Sequence, residues 1–421
     1  MVILILSLAA PYYHPDESIL KRQYSVNTNL HRKLLKIPAY ASCFGYRVAQ
    51  EGIRAKGFKG AKPPCAILTI AKFAVRIRAM GEATRMENHK NGFDLIGFGA
   101  LNVDIFYSLR PGRGIDRIVS GLRPGGEKIG AESEREQMLK TAQEHATFAG
   151  RSGGGQAANT VVALARMGFR CGFLGKVGDD EMGDFLLESL ESVDKSRIQR
   201  GGNSGVCLCI LDQHGERANA VFPGCNDTIS LSESDIDYVR NSKVLHLTSF
   251  CNDEILQLQE WLPEQCSGEI IATFDPGEIY SRLGIERLRG ILKCARVLFA
   301  TAEELRLMTG KEPPNAAEDI IQCGTDIVVC KMSEQGSEII SEEGIIAVPA
   351  ARAKKVVDKT GAGDVYAAGF IAGLILNLPL ETCGRLASEA AALSISGYGR
   401  EKYPDQQFLE ACMENLPGVS M

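Results

Sequence analysis

Val357-Asp358-Lys359-Thr360-Gly361-Ala362-Gly363-Asp364 runs straight into an apolar, small-residue stretch over 365–377 with the pattern of a buried helix. Gly361 and Gly363 let the backbone turn tightly, so that successive N–H groups point into one hollow. A helix N-terminus lies directly behind them. Unpaired donors and the positive end of a helix dipole together make an anion site. Asp364 then presents a carboxylate beside a hollow built for negative charge. It can serve as a helix cap, or as a base that takes a proton from a hydroxyl while the hollow holds a phosphoryl group. Phosphoryl transfer needs both a positioned base and charge neutralisation. Local physics leaves the two roles open.

Two other segments have related chemistry. Ser152-Gly153-Gly154-Gly155-Gln156-Ala157-Ala158-Asn159 again opens a helix. It reads as a flexible entry loop or as a close backbone approach to a polar ligand, with Asn159 offering donor and acceptor. The lysine of a Walker loop is missing. Gly97-Phe98-Gly99-Ala100-Leu101-Asn102-Val103-Asp104 nearly spells a dinucleotide fingerprint, but Asn102 stands where the third glycine belongs. That glycine allows close helix–strand packing, and no helix pattern follows, which argues against nicotinamide. Asn102 and Asp104, two apart on an extended segment, face the same side. The pair suits a polyhydroxyl ligand or an Asx-turn.

Between these landmarks the period switches from strand to helix and back. Strands are expected over 94–99, 171–177, 243–248, 269–274, 296–300 and 326–331. Helices are expected over 132–146, 156–167, 180–192, 253–262, 281–293 and 302–308, with two more near 363–377 and 381–395. A hairpin is expected over 206–211 and 217–222 around Gly215. The alternation implies an α/β fold, a doubly wound and mostly parallel sheet flanked by helices. Segments of about 103–150 and 203–224 break it and read as a small β-rich lid.

The chain has 421 residues, 45% hydrophobic and 24% charged, which excludes a disordered protein. No apolar run reaches the roughly 18 residues of a membrane span. The net charge of -5 conceals an asymmetry: residues 1–92 hold 15 Lys/Arg against 5 Asp/Glu, whereas 93–421 hold 32 against 47. The basic part reads as a disordered extension, a targeting segment, a nucleic-acid arm or translated upstream sequence with the start at Met80 or Met86. Its basic residues are dispersed, so no nucleic-acid partner is expected. Thirteen scattered cysteines without a C-x-x-C pair argue against a disulfide framework and suit a reducing, cytoplasmic setting. None of the six histidines falls at metal-ligand spacing, so no structural zinc site is expected. Cys207 and Cys209, two apart on a strand, share one face and read as core packing.

Taken together, the motifs resemble the two signatures of the ribokinase (PfkB) carbohydrate kinase family. Asn102-x-Asp104, Gly154-Gly155 to Asn159, a lid hairpin and Asp358 to Asp364 occur in the family's order, over about residues 93–415. The resemblance implies a ribokinase-like fold, Asp364 as catalytic base, and an anion hole from the amides of Gly361, Ala362 and Gly363. It implies substrate-hydroxyl contacts from Asn102, Asp104, Gly154, Gly155 and Asn159. Glu304 matches the acid of the N-x-x-E motif that acts on magnesium through water, with Thr301 in place of its asparagine. Lys331 and Gly336 match the nucleotide-side loop, where Ser333 replaces a glycine. Asp358 and Thr360 match the second signature, near the nucleotide and a monovalent-cation loop. ATP and Mg²⁺ are the implied cofactors, and a homodimer through the lid the implied assembly.

The expected reaction is transfer of the ATP γ-phosphate to a hydroxyl of a sugar or sugar-bearing substrate. Thr248 replaces the acidic residue frequent after that strand, which argues against plain ribose. The long segment 104–153 resembles nucleoside-kinase members. Arg110, Arg113, Arg123, Lys128 and Arg151 crowd it, either as a solvated lid face or as contacts to a sugar phosphate. A non-catalytic ligand-binding relative is the competing class.

Overall fold

Strand Phe93–Phe98 opens the main sheet, and its side chains show why that sheet is buried on both faces. Leu95 packs into one core, Ile96 and Phe98 into another. Val297 and Phe299 alternate in the same way with Leu298 and Ala300. A period of two with both sides apolar is the pattern of a parallel sheet covered by helices. The computed structural model describes residues 46–49, 52–55, 92–112, 114–122, 125–212, 217–266 and 270–415.

The chain divides into two units, Met1–Glu82 and Ala83–Met421. In the first, Tyr46–Ala49 pairs antiparallel with Gly52–Ala55. The expectations for 1–92 otherwise lie outside the described residues.

In the second unit the main sheet runs Gly344–Val348, Ser337–Ser341, Ile327–Lys331, Val297–Thr301, Ile271–Asp275, Ser242–Thr248, Phe93–Phe98, Cys171–Val177 and Val193–Asp194. Pairing is parallel from Ile327–Lys331 onward, and the first two strands form an antiparallel edge. Helices Gln156–Arg166, Ala362–Ile375 and Leu380–Ser394 cover one face. Asp253–Gln265, Gly284–Cys294, Ala302–Thr309 and Pro313–Cys323 cover the other. The chain builds Cys171–Val177 on one side of Phe93–Phe98 and later Ser242–Thr248 on the opposite side. The crevice outside the carboxyl ends of these strands is therefore the topological switch point, where such sheets bind ligands.

A five-stranded lid sheet rises from that end, in the order Glu127–Ile129, Arg217–Phe222, Gly205–Leu211, Asn102–Leu109, Ala146–Gly154. Tyr107, Leu208, Ile210, Ala220 and Phe222 on its outer face are buried beneath Ile115–Leu122 and the helix Arg135–His145. Its inner face turns Asp104, Cys207, Cys209 and Asn219 toward the crevice.

Asn102–Leu109 is a strand directly following the first, the extended segment expected there, and not a helix on which a dinucleotide pyrophosphate could rest. Other elements differ from expectation. Ala146–Gly154 is a lid strand, and Pro313–Cys323, Glu233–Arg240 and Gln406–Asn415 are helices that the periodicity did not reveal. Pro313-Pro314 reads as a loop, yet proline at the first helical positions costs no hydrogen bond. The expected helix 281–293 is two pieces, Gly277–Ser281 and Gly284–Cys294.

Candidate active site

The crevice between the lid and the main sheet is a cleft of about 300 Å³. Its floor is the loop read first in the sequence. Gly361 has a left-handed φ of 72° and precedes helix Ala362–Ile375, a turn that glycine makes without strain. The Gly363 and Asp364 amides lie in the first turn and have no intrahelical acceptor. That of Ala362 donates to the Lys359 carbonyl at 3.3 Å, so it is partly withdrawn from the expected hollow.

Asp364 is 9% exposed. Its Oδ2 accepts from Asn159 Nδ2 at 2.8 Å, and its backbone carbonyl accepts from Thr160 Oγ1 at 3.1 Å. Burial, and then the charge of Asp275, lift the Asp364 carboxyl from 3.8 to about 7, against the pull of Asn159 and Lys331. A base whose pKa lies near neutrality is well matched to its task. Asn159 is expected to touch substrate, but both ends of its amide are engaged: Arg400 Nε donates to Asn159 Oδ1 at 3.0 Å. Asn159 therefore orients the carboxylate. Arg400 is half-buried, and its buried Nη2 has no hydrogen-bond partner.

Beside the hollow stands a buried ion pair. Lys331 Nζ lies 2.6 Å from Asp275 Oδ2, and a Cβ added to Gly363 would come 3.3 Å from the same nitrogen. The ammonium thus sits where it can neutralise an anion held by the loop. Burial alone would lower the Lys331 pKa, but Asp275 and Glu304 more than offset it and keep the group charged. Thr301 and Glu304 form a capping box at the start of helix Ala302–Thr309, with Thr301 N donating to Glu304 Oε2 at 2.6 Å. Threonine in place of asparagine therefore still fixes Glu304 at the cleft. Burial raises the Glu304 carboxyl, with Lys331 opposing. Glu304 and Asp364 present carboxylate oxygens to the cleft, and hard oxygen donors of this kind fit Mg²⁺.

On the lid side, Asp104 faces the cleft. Burial lifts it to about 7 against Arg400 and Arg217. A Cβ on Gly154 would lie 2.2 Å from either oxygen of this carboxylate, so only glycine fits there. Asn102 Oδ1 accepts from Asn226 Nδ2 at 2.9 Å.

Of the residues singled out in the sequence, Asn102, Asp104, Gly155, Asn159, Glu304, Lys331, Thr360, Gly361, Ala362, Gly363 and Asp364 line one cleft. Gly154 abuts it through Asp104. Gly336 does not line it: it packs against the Val348 carbonyl, which a Cβ would approach to 2.1 Å. Nor does Asp358, whose carboxylate accepts from Thr360 N and Gly399 N and braces the loop. Sequence reasoning missed Asp275, Arg217, Asn226 and Arg400. The turn signal Asp275-Pro276-Gly277 at a strand end was the one available cue.

Of the lid cations, Lys128 lines a recess beside the cleft and donates to the Ser120 carbonyl, while Arg110 and Arg151 stand away from the cleft. Arg110 donates to the Gln143 and Glu144 carbonyls and caps the lid helix. Arg151 stacks over the Phe185 ring at 4.5 Å. Arg113 and Arg123 lie outside the described residues. Arg217 is the arginine that lines the cleft.

Comparison with known proteins agrees with this geometry. Residues 130–405 match the pfkB family carbohydrate kinase family. A protein of Archaeoglobus fulgidus named an uncharacterized sugar kinase is 36% identical over 250 residues, 58% of this chain and 98% of its own length. The ATP-dependent ribose-1-phosphate kinase of Halopiger xanaduensis is 32% identical over 258 residues, 60% of this chain and 84% of its own. Among solved structures, Arabidopsis thaliana ribokinase complexed with ribose and ATP superposes with a TM-score of 0.61 at 21% identity, covering 76% of this chain and 98% of its own. Sinorhizobium meliloti adenosine kinase gives a TM-score of 0.65 at 20% identity, with coverage of 76% and 98%. These last two establish the fold. With its motifs in order and its candidate base, hollow and lid around one cleft, the chain belongs to the PfkB family of carbohydrate kinases, phosphotransferases whose acceptor is an alcohol group.

Proposed function

We propose that this protein transfers the γ-phosphoryl group of ATP to a hydroxyl of a sugar or sugar-bearing acceptor, with Asp364 as the base. The observation that carries this reading is the buried Asp364 carboxylate, oriented by Asn159 and set beside both the glycine hollow and Lys331. The acceptor hydroxyl gives its proton to Asp364 as its oxygen bonds to the γ-phosphorus and the bond to the ADP oxygen breaks. Amides of the 361–364 loop and Lys331 take up the charge on the transferring group. Asp104 and Asn102 hold acceptor hydroxyls from the lid side, and lid closure excludes water. Glu304, through water, would hold Mg²⁺, which supplies further charge neutralisation. ATP as donor is supported by the name of the Halopiger relative.

A nucleoside is the second acceptor reading. It is favoured by an apolar recess of about 510 Å³ that opens beside the cleft, walled by Leu122, Ile129, Phe250, Ile279 and Tyr280. Its apolar walls suit a flat base, and Lys128 and Arg282 also line it. For the lid-mediated homodimer, the relevant fact is that the outer lid face is already covered by Ile115–Leu122 and Arg135–His145, which leaves the lid's edge strands for a partner. The free cysteines among the described residues suit a cytoplasmic setting. No helix among the described residues is long and apolar enough to cross a membrane.

The test is ADP release with Mg-ATP against ribose, ribose-1-phosphate, fructose, adenosine and cytidine. Turnover with one acceptor fixes its class. Asp364→Asn should lower kcat roughly 100- to 10,000-fold. A folded protein that binds acceptors without turnover over a broad panel is instead a ligand-binding relative.

A further inference from the structure

We propose that Cys207, Cys209 and Asp104 form a site for a thiophilic metal ion of the zinc class on the inner face of the lid. Cys207 and Cys209 lie on strand Gly205–Leu211, two residues apart and therefore on one face. Cys207 stands abreast of Asp104 in the parallel ladder with Asn102–Leu109. The two sulfurs and a carboxylate oxygen all lie within 4.8 Å of one another, and all three residues line the cleft. These cysteines pack with Val221 in a small buried cluster, as their spacing suggests, and also present their sulfurs to the cleft.

The spacing of the sulfurs decides between two fates. Cys207 Sγ and Cys209 Sγ are 3.6 Å apart. Two thiolates at about 2.3 Å from a tetrahedral zinc ion lie about 3.8 Å apart, so the pair needs almost no movement to chelate. A disulfide needs about 2.05 Å, and Cα atoms two residues apart on a strand, about 6.7 Å, stand at the limit of what it spans. Metal binding is therefore the easier outcome. A carboxylate oxygen is an ordinary third zinc ligand.

A further observation points into the same site. Asn219 lies across the antiparallel ladder from Cys209, and its Oδ1 is buried without a hydrogen-bond partner. An unsatisfied buried acceptor beside two thiols and a carboxylate calls for a cation or a bound donor. Thiolates select zinc-like ions, whereas the carboxylate of Glu304 suits magnesium, so the two kinds of ion sort to different walls of the cleft. A metal on Asp104 would occupy the carboxylate proposed to hold the acceptor, and the two would exclude each other. That consequence rests on the kinase reading; metal binding itself does not.

The experiment is therefore a binding measurement on the full chain. Co²⁺ serves as the spectroscopic probe and Zn²⁺ as its competitor. The expected result is one equivalent of Co²⁺ with thiolate-to-cobalt charge-transfer absorption, displaced by Zn²⁺. Cys207→Ser and Cys209→Ser should each weaken binding by at least about 100-fold, beyond what outer-shell changes cause, while Cys412→Ser leaves it unchanged. In the wild-type chain, Zn²⁺ should protect Cys207 and Cys209, but not Cys412, from alkylation mapped by mass spectrometry. This second readout holds even where a serine variant does not fold. Absence of the charge-transfer band, or alkylation of both cysteines at the same rate with and without Zn²⁺, overturns the proposal whatever the kinase assay shows.

Discussion

Replacing Asp364 by asparagine should stabilise the protein at alkaline pH while removing its activity. The carboxyl is 9% exposed, and burial lifts it from 3.8 to about 7. A carboxyl whose pKa is raised on folding favours the folded state at low pH relative to high. Its contribution is fully present below the unfolded pKa of about 4 and is lost as pH rises through about 7. Linkage then makes the ionised carboxylate cost about 4 kcal/mol at pH 8 and roughly 1.5 kcal/mol at pH 5. Asparagine keeps an oxygen acceptor for Asn159 Nδ2 and cannot ionise. Relative to the wild type, the Asp364→Asn chain should therefore gain about 2.5 kcal/mol more at pH 8 than at pH 5. Urea unfolding at the two pH values measures this, with ADP release recorded on the same samples. An equal shift at both pH values, or a larger one at pH 5, would refute the assignment of an ionisable, strained carboxylate at this position. Such a gain with loss of turnover is the usual trade between stability and function at a working site.

Other consequences follow from the same geometry. Because the base must be deprotonated, kcat/KM of the wild type should fall about tenfold per pH unit below about pH 7. A flat pH–rate profile from 5 to 8 would exclude Asp364 as that base. Lys331→Met removes the ammonium 2.6 Å from Asp275 and leaves a buried carboxylate uncompensated. A loss of about 3–5 kcal/mol in urea unfolding is expected, together with a raised KM for ATP. Gly154→Ala would push a methyl group into the Asp104 carboxylate. It should raise the acceptor KM about 10- to 100-fold and leave the KM for ATP unchanged; equal effects on both would separate Asp104 from the acceptor.

Much of the fold was legible because it depends on local periodicity. Strand Cys171–Val177, helix Gln156–Arg166 and the hairpin Gly205–Leu211 with Arg217–Phe222 lie where the apolar pattern put them. The lid strand Ala146–Gly154 was not legible: Gly150, Gly153 and Gly154 make a poor strand signal, and pairing with Asn102–Leu109 decides its conformation. Glycine loops could be read as ligand hollows because they act through their own backbone. Arg110 and Arg151, exposed on the lid as a solvated face would have them, could not be placed more finely for the opposite reason. A cation's sequence position says nothing about which carbonyl or ring it meets, and here they meet a helix end and Phe185.

By itself, the sequence determined the alternating α/β plan, the helix-opening glycine turns and the presence of a carboxylate at Asp364. These follow from backbone sterics and side-chain period, which act over a few residues. Only the tertiary structure decided that Asp364 is held by Asn159, itself fixed by Arg400, and that Lys331 pairs with Asp275, 56 residues away. It also turned Cys207 and Cys209 into the cleft beside Asp104. Parallel strands gather their carboxyl ends at one edge whatever their separation along the chain. Burial there sets the charge state of each carboxyl, and neither register nor burial is a property of any local stretch of sequence.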